Sequence, residues 1–265
     1  MSTKIEWTNE TWNPVTGCTK ISAGCSNCYA ERMARRLAGK YGYHEQPDHF
    51  KVTLHPDKLD QPHWWKKPRM IFVCSMGDLF HDDVDEESIM EIIDIMTFAK
   101  QHTFQVLTKR PERMNYIVNQ IERHAGGFPN NVWLGVTAEN QQAADERIPL
   151  LLNTPAAVRF VSVEPMLGSV DLSLYQPIVR QHKNDFMKAR GILGGKIDWV
   201  ICGGETGHGS RPMKAEWAIH LRNQCLDSGV PFFFKKPGSA FTGDPSCLPT
   251  TRQYPVPQSL PEGHP

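Results

Sequence analysis

From Met70 onward, apolar and polar positions arrange themselves in repeating blocks. Short runs rich in β-branched and aromatic residues end in polar residues or glycine, then give way to stretches of helical period. The runs are MIFVCSMGD (70–78), TFQVLTKR (103–110), NVWLGVTAEN (131–140), VRFVSVEP (158–165), IDWVICGGE (197–205) and VPFFFKK (230–236). Their starts lie roughly 30 residues apart, the usual length of a βα unit. Near-continuous apolar strands suit a parallel sheet covered by helices. With one more strand near residues 11–17, the pattern predicts an α/β fold with six or seven parallel strands. A partial or full (β/α) barrel of the TIM type is the first choice, and a doubly wound open sheet is the second.

The helices between the runs are readable too. In HDDVDEESIMEIIDIMTFAKQ, Ile89, Ile92, Ile93 and Met96 share one face. Asp and Glu crowd the first turn, where the helix dipole favours them. MKAEWAIHLRNQCLDSG repeats the pattern with Trp217, Leu221 and Cys225 inward and Gly229 as C-cap. Two segments interrupt the rhythm. Residues 172–196 read as a long polar connection, an excursion or an extra helix. Beyond Gly238 the chain is rich in proline and predicts an irregular tail. The domain reading is a barrel over 1–238 and a tail over 239–265.

Composition bounds the rest. The chain has 265 residues, 40% of them hydrophobic, enough for a core of that size. No apolar run reaches the length of a membrane span. The opening MSTKIEWTNE lacks the apolar centre of a signal peptide, so the expected compartment is the cytoplasm. A formal net charge of zero argues against a strongly basic nucleic-acid-coating protein but allows a local basic patch. Seven cysteines in a reducing compartment are expected to be unpaired, so a cluster of them points to metal or redox chemistry.

That cluster is Cys18-x6-Cys25-x2-Cys28, three thiols in one loop after the first strand. Iron–sulfur clusters are held by cysteine thiolates, and a cubane has four irons. Three protein ligands leave one iron open to a small molecule. S-adenosylmethionine is such a molecule, and its reductive cleavage yields a 5′-deoxyadenosyl radical. The competing reading is a zinc site completed by His44, His49 or His55. In parallel α/β folds function sits at the carboxyl ends of the strands. Those ends carry Asp78, Thr108, Lys109, Arg110, Thr137, Glu139, Ser162, Glu164, Gly203, Gly204, Glu205, Lys235 and Lys236. By alternation Ser162 shares a face with Glu164, and Thr137 with Glu139. A mouth with both acids and bases suits a zwitterionic or phosphorylated ligand. The plainer reading is that strands end in polar residues because loops meet water.

NPVTGC…GCSNCYAE resembles the opening of radical-SAM enzymes. SMGDLFHDDV, FQVLTKRPERM, NVWLGVTAEN, RFVSVEPMLG, WVICGGETGHGSRPM and LRNQCLDSGVPFFFKK resemble, more closely, a phage-associated three-Cys-motif family. That family was first named for mycobacteriophage gene products thirty-seven and sixty-eight. The likeness covers about residues 4–238. It implies a radical-SAM-type barrel with a [4Fe-4S] cluster on Cys18, Cys25 and Cys28, and S-adenosylmethionine as cofactor. It implies Asp78 as acceptor for the methionine amino group. Thr137, Glu139, Ser162 and Glu164 fall where ribose and carboxylate contacts are made, and Tyr29 near the adenine. An electron donor such as flavodoxin or ferredoxin is implied as partner. Two departures stand out: six residues separate the first two cysteines where three are usual, and Asn27 replaces the aromatic residue before the last.

The basic residues suggest a substrate. Arg32, Arg35 and Arg36 follow the cysteines on a helix, and Lys109, Arg110, Arg211, Lys235 and Lys236 stand at strand ends or just beyond. Together they are candidates for phosphate contacts, with solvated surface charge as the plain alternative. Trp64 and Trp65 read as loop or core anchors before a stacking platform. Cys74 and Cys202, inside strands, are candidate hydrogen-atom donors, with buried packing the plainer reading. The function expected is a radical-SAM-type enzyme acting on a nucleic acid or nucleotide in base modification or repair. The alternatives are an iron–sulfur redox or nucleic-acid-binding module without SAM turnover, and a zinc-stabilised barrel with a hydrolytic or binding role.

Overall fold

The computed structural model describes residues 5–172 and 195–255. Most of the polar connection and the last ten residues of the tail lie outside the described residues. In chain order the elements are β1 Glu10–Trp12, β2 Val15–Thr16, α1 Tyr29–Leu37, β3 Thr53–Leu54, α2 Gln61–Trp64, β4 Met70–Val73, α3 Glu86–Phe98, β5 Thr103–Thr108, α4 Pro111–Ala125, β6 Val132–Thr137, α5 Gln141–Leu152, β7 Arg159–Val163, β8 Trp199–Cys202, α6 Ala215–Asp227 and β9 Phe232–Phe234. Seven strands form one sheet in the order β1-β4-β5-β6-β7-β8-β9, every neighbouring pair parallel. β2 and β3 form a separate antiparallel pair.

Alternation along the strands sorts the side chains onto two faces. Ile71 and Val73, Phe104 and Val106, Leu134 and Val136, and Val161 and Val163 join the helices in the larger core. α3 contributes Ile89, Ile92, Ile93 and Met96 to it, and α6 contributes Leu221 and Cys225. The opposite face carries Trp133, Phe160, Trp199, Ile201 and Phe233, gathered around Trp7. The Trp7 indole lies 4.7 Å from the Phe72 ring on β4 and 6.1 Å from Trp199 on β8. Three strands separate β4 from β8, so one side chain reaches both only if the sheet curls. The molecule is a half-barrel with an aromatic floor. Gly135 is part of this design: a Cβ there would come within 2.5 Å of the Phe160 ring.

The open edge at β9 is covered by the tail. Phe234 N donates to Thr251 O and Gln253 N to Phe232 O, a short antiparallel pairing. Edge strands need such cover against unwanted pairing. The Tyr254 ring then packs 5.5 Å from Trp199, and its hydroxyl donates to Glu6 O. Both ends of the described chain therefore close the floor.

Two strand expectations change. The strand expected near 11–17 divides into β1 and β2, because Pro14 has no N–H to continue a ladder. The run 70–78 stops at Val73: Cys74 takes φ 54 and the chain turns, with Asn13 Oδ1 accepting from Met76 N and Ser75 Oγ. Among the described residues no helix is long and apolar enough to cross a membrane.

Candidate functional site

The cysteine loop leaves β2 and lies across the carboxyl ends of the sheet. Four contacts tie it down. Gly17 N donates to Met76 O beyond β4. Arg110, at the end of β5, donates to Cys18 Sγ (3.4 Å) and Thr19 Oγ1 (2.9 Å). Glu139, beyond β6, accepts from Gly24 N (3.1 Å). Asn27 Nδ2 donates to Glu205, beyond β8, at 2.9 Å. Cys28 then caps α1, whose positive dipole end faces the loop. The loop is thus fixed by strand ends from one side of the half-barrel to the other. The three thiols are free and half-buried.

Each mouth acid is matched to a cation. Asp78 lies 3.3 Å from Arg110, Glu139 2.8 Å from Arg147, Glu164 2.6 Å from Lys235 and Glu205 2.5 Å from Arg211. Burial alone would raise the Glu139 carboxyl, but a Ser22 hydrogen bond and the Arg147 charge hold it below its usual range. Burial opposes ionisation of Glu205 as well. Donors from Arg211 and Asn27 prevail and hold its carboxyl at about 2. Burial pushes the Cys18 thiol up to about 11, with Asp78 adding to it. Cys25 moves the other way: burial raises it, but the nearby Lys109 ammonium and hydrogen bonds at Ile21 and Ser22 bring it below the ordinary thiol value.

The donor set fits a site-differentiated cluster. A single zinc draws its thiolates to about 3.8 Å from one another, from a Zn–S bond of about 2.3 Å in a tetrahedron. Among the described residues no three His, Cys, Asp or Glu side chains converge on one such point. Cys25 is nevertheless near enough to Cys18 to raise the cost of ionising it. Three thiols on one loop at the mouth are the donor set that a cubane with one open corner would take. Of the histidines considered for zinc, His55 bonds Thr16 Oγ1 at 2.7 Å and His44 bonds Thr53 Oγ1 at 3.1 Å. His49 lines a cavity of about 590 Å³ beside Cys18, and both its ring nitrogens lack a hydrogen-bond partner.

The other expected site residues fall as follows. Thr137 and Ser162 are buried above the aromatic floor, on the face of Trp133 and Phe160. Lys235 is committed to Glu164, Arg211 to Glu205, and Arg110 points inward, while Lys236 is exposed. Tyr29 is 58% exposed. With Arg32, Met33, Arg36 and His208 it lines a groove of about 290 Å³ between α1 and the 206–209 loop. Arg32 donates to Thr206 O and His208 O, so Arg36 is the cation left over. Cys74 is buried, and Cys202 lies against Met166 Sδ at 3.7 Å; burial raises both thiols. Trp65 stacks under Arg69, and Trp64 is exposed.

Sequence reasoning missed Arg147 and the role of Asn27. Arg147 sits two turns into α5, where only the fold returns it to Glu139 and the Thr137 carbonyl. A buried arginine in an otherwise apolar helix face, beside Ala143, Ala144 and Ile148, was the available signal.

A search of curated proteins returns no match. A cysteine-to-serine mutant of spore photoproduct lyase is similar in structure, with a TM-score of 0.53 and 11% identity, covering 91% of this chain and 79% of that one. Spore photoproduct lyase complexed with dinucleoside spore photoproduct is also similar, at TM-score 0.48 and 11% identity, covering 86% and 75%. At this identity the first of these likenesses speaks to fold alone, a half-barrel of parallel strands covered by helices. A family model described as "Protein of unknown function (DUF5131)" matches residues 2–248, nearly the whole described chain, and the protein belongs to that family.

Proposed function

We propose that the protein is a radical-SAM-type enzyme. In this reading Cys18, Cys25 and Cys28 hold a [4Fe-4S] cluster whose fourth iron binds S-adenosylmethionine. One observation carries it: three free thiols on a single loop, pinned across the mouth of a half-barrel. When bound, the pair of cofactors supplies a 5′-deoxyadenosyl radical able to take hydrogen from an unactivated carbon. The chain supplies the rest. The aromatic floor closes the lumen from below and limits water. Thr137 and Ser162 offer hydroxyls just above it, and the Glu164–Lys235 pair offers one charge of each sign to a zwitterionic ligand.

The substrate proposed is a nucleic acid or nucleotide. The groove beside Cys28 supports it, with an exposed aromatic face on Tyr29 and, on Arg36, a cation that makes no ion pair among the described residues. A base stacked on an aromatic residue gains about 1–3 kcal/mol, and the adjacent cation suits its phosphate. Lys236 and Lys109 add positive charge at the mouth. Flavodoxin or ferredoxin is the class of electron donor the chemistry requires.

Anaerobic reconstitution tests the reading. The folded protein should bind about four irons per chain. Its visible absorption should bleach with dithionite, and it should release 5′-deoxyadenosine from S-adenosylmethionine. Serine at any one of the three cysteine positions should abolish that release. Iron without release favours the module that does not turn over SAM. Folded protein that takes up no iron refutes the cluster. Single-stranded oligonucleotides should bind with a steep salt dependence, and Tyr29→Ala should weaken binding by about 1–3 kcal/mol without loss of iron.

A further inference from the structure

Arg110 stands where β5 passes into α4, just before the helix-starting Pro111. As a strand-end arginine it looks suited to a substrate phosphate. Its surroundings point elsewhere, since the residue is only 7% exposed. Nη1 donates to Cys18 Sγ at 3.4 Å and to Asp78 Oδ2 at 3.3 Å. Nη2 donates to Thr19 Oγ1 at 2.9 Å and to the Thr19 carbonyl at 3.5 Å. Nε is buried without a hydrogen bond, with the Asp82 carboxylate 3.8 Å away. No edge of this guanidinium is presented to a ligand outside the loop.

Asp78 aims it. Oδ1 accepts from Thr108 Oγ1 at 2.7 Å and from Phe80 N at 3.0 Å. Oδ2 accepts from Lys109 N at 3.2 Å and from Arg110. Thr108 Oγ1 in turn accepts from Arg110 N at 2.9 Å. An ionised carboxylate offers about four acceptor sites, and all are taken. Asp78 therefore has no capacity left for a ligand amino group while this network stands.

We infer that Arg110 is a positioning residue for the iron–sulfur cluster, held by Asp78 so that its guanidinium fixes Cys18 in the mouth and donates to that ligand sulfur. The inference rests on the cluster proposed above. One-electron reduction adds a negative charge to the cluster. A fixed cation and a hydrogen bond at a ligand sulfur stabilise the reduced form more than the oxidised one, and potentials respond to both. Arg110 thus makes a cluster at this site easier to reduce. Lysine cannot replace it fully, because only the guanidinium fork spans the sulfur, the Thr19 oxygens and Asp78 together.

The test uses full-length protein reconstituted anaerobically, with neither S-adenosylmethionine nor substrate present. Iron per chain and the one-electron midpoint potential are measured by dye-mediated titration. Arg110→Gln is expected to disfavour reduction by at least about tenfold, a fall of about 59 mV. Arg110→Lys should lie between it and the wild type. Asp78→Asn, which leaves Arg110 but loosens its aim, should shift in the same direction. Loss of iron from folded Arg110→Gln supports the holding role, and the potential is then read from the other two variants. Wild-type potentials in all iron-loaded variants overturn the inference and leave the cluster standing. Absence of iron from the folded wild type removes the proposed function itself.

Discussion

Glu205 offers a quantitative test of how the loop is anchored. Its carboxylate accepts from Arg211 Nε (3.0 Å), Nη2 (2.5 Å) and N (2.8 Å), and from Asn27 Nδ2. These donors hold it at about 2 against an ordinary 4.5. At about 1.4 kcal/mol per pH unit that difference corresponds to about 3 kcal/mol. Arg211 is 34% exposed, so solvent screens part of it, and about 2 kcal/mol is a fair expectation. Glu205→Gln should therefore lower the stability of the metal-free protein by about 2 kcal/mol at pH 7. The dependence on pH has a definite sign. A carboxyl whose value is depressed on folding stabilises fully above its unfolded value, and the benefit fades as pH falls toward its folded one. The gap between wild type and variant should thus hold from pH 7 to about 5, then narrow to about half by pH 3. Urea unfolding followed by tryptophan fluorescence measures it, with midpoints compared at equal slope. Amide exchange at residues 24–28 should quicken in the same variant, since Asn27 loses its anchor. A gap that stays constant down to pH 3, or one below about 0.5 kcal/mol at pH 7, would refute the reasoning.

Other consequences can be checked separately. Arg147→Met strands the buried Glu139 carboxylate and should cost about 3–5 kcal/mol in urea unfolding, far more than removal of an exposed arginine such as Arg35. Gly135→Ala forces a methyl into the Phe160 ring and should cost about 1–3 kcal/mol, with Phe160→Leu in the same chain recovering part of it. Tyr254→Ala removes the ring that covers Trp199 and should lower stability by about 1 kcal/mol. The matching signal is a red shift in tryptophan emission. An unchanged spectrum would place the tail away from the floor.

The strands were readable because burial on two faces leaves little freedom of residue choice. TFQVLT, VWLGVT and RFVSV declare themselves as β-structure, and the parallel order follows from the helices between them. The errors lie where a turn carries no turn residues. Nothing in Val73-Cys74-Ser75 announces a positive φ at a cysteine, whereas Pro14 does mark the break after β1. The mouth was legible as a set of positions and illegible as a set of pairs. Alternation placed Ser162 with Glu164 and Thr137 with Glu139. It has no means of joining Asn27 to Glu205 across 178 residues, or of turning Arg110 inward. The tail shows the same limit. Its prolines exclude regular structure, yet three residues between them suffice to cover an edge strand, because the demand comes from β9 and not from the tail.

On the proposed function, the pairing of charges lets one mouth take anions despite four acids. Asp78, Glu139, Glu164 and Glu205 each face a cation at hydrogen-bonding distance, so none projects an uncompensated negative field into the lumen. Among the described residues Lys109, close enough to Cys25 to lower its proton affinity, and the exposed Lys236 and Arg36 make no ion pair, while the exposed Asp82 and Asp83 stand beside Arg110 and His81. The chain as a whole carries no net charge, and the four strand-end acids at its mouth are each paired. An inorganic core bound by three thiolates is itself anionic, and a polynucleotide more so. Placing either against four free carboxylates would be opposed at short range, where screening by salt is least effective. Pairing the acids removes that opposition and turns two of them, Glu139 and Glu205, into direct anchors for the loop that presents the thiols.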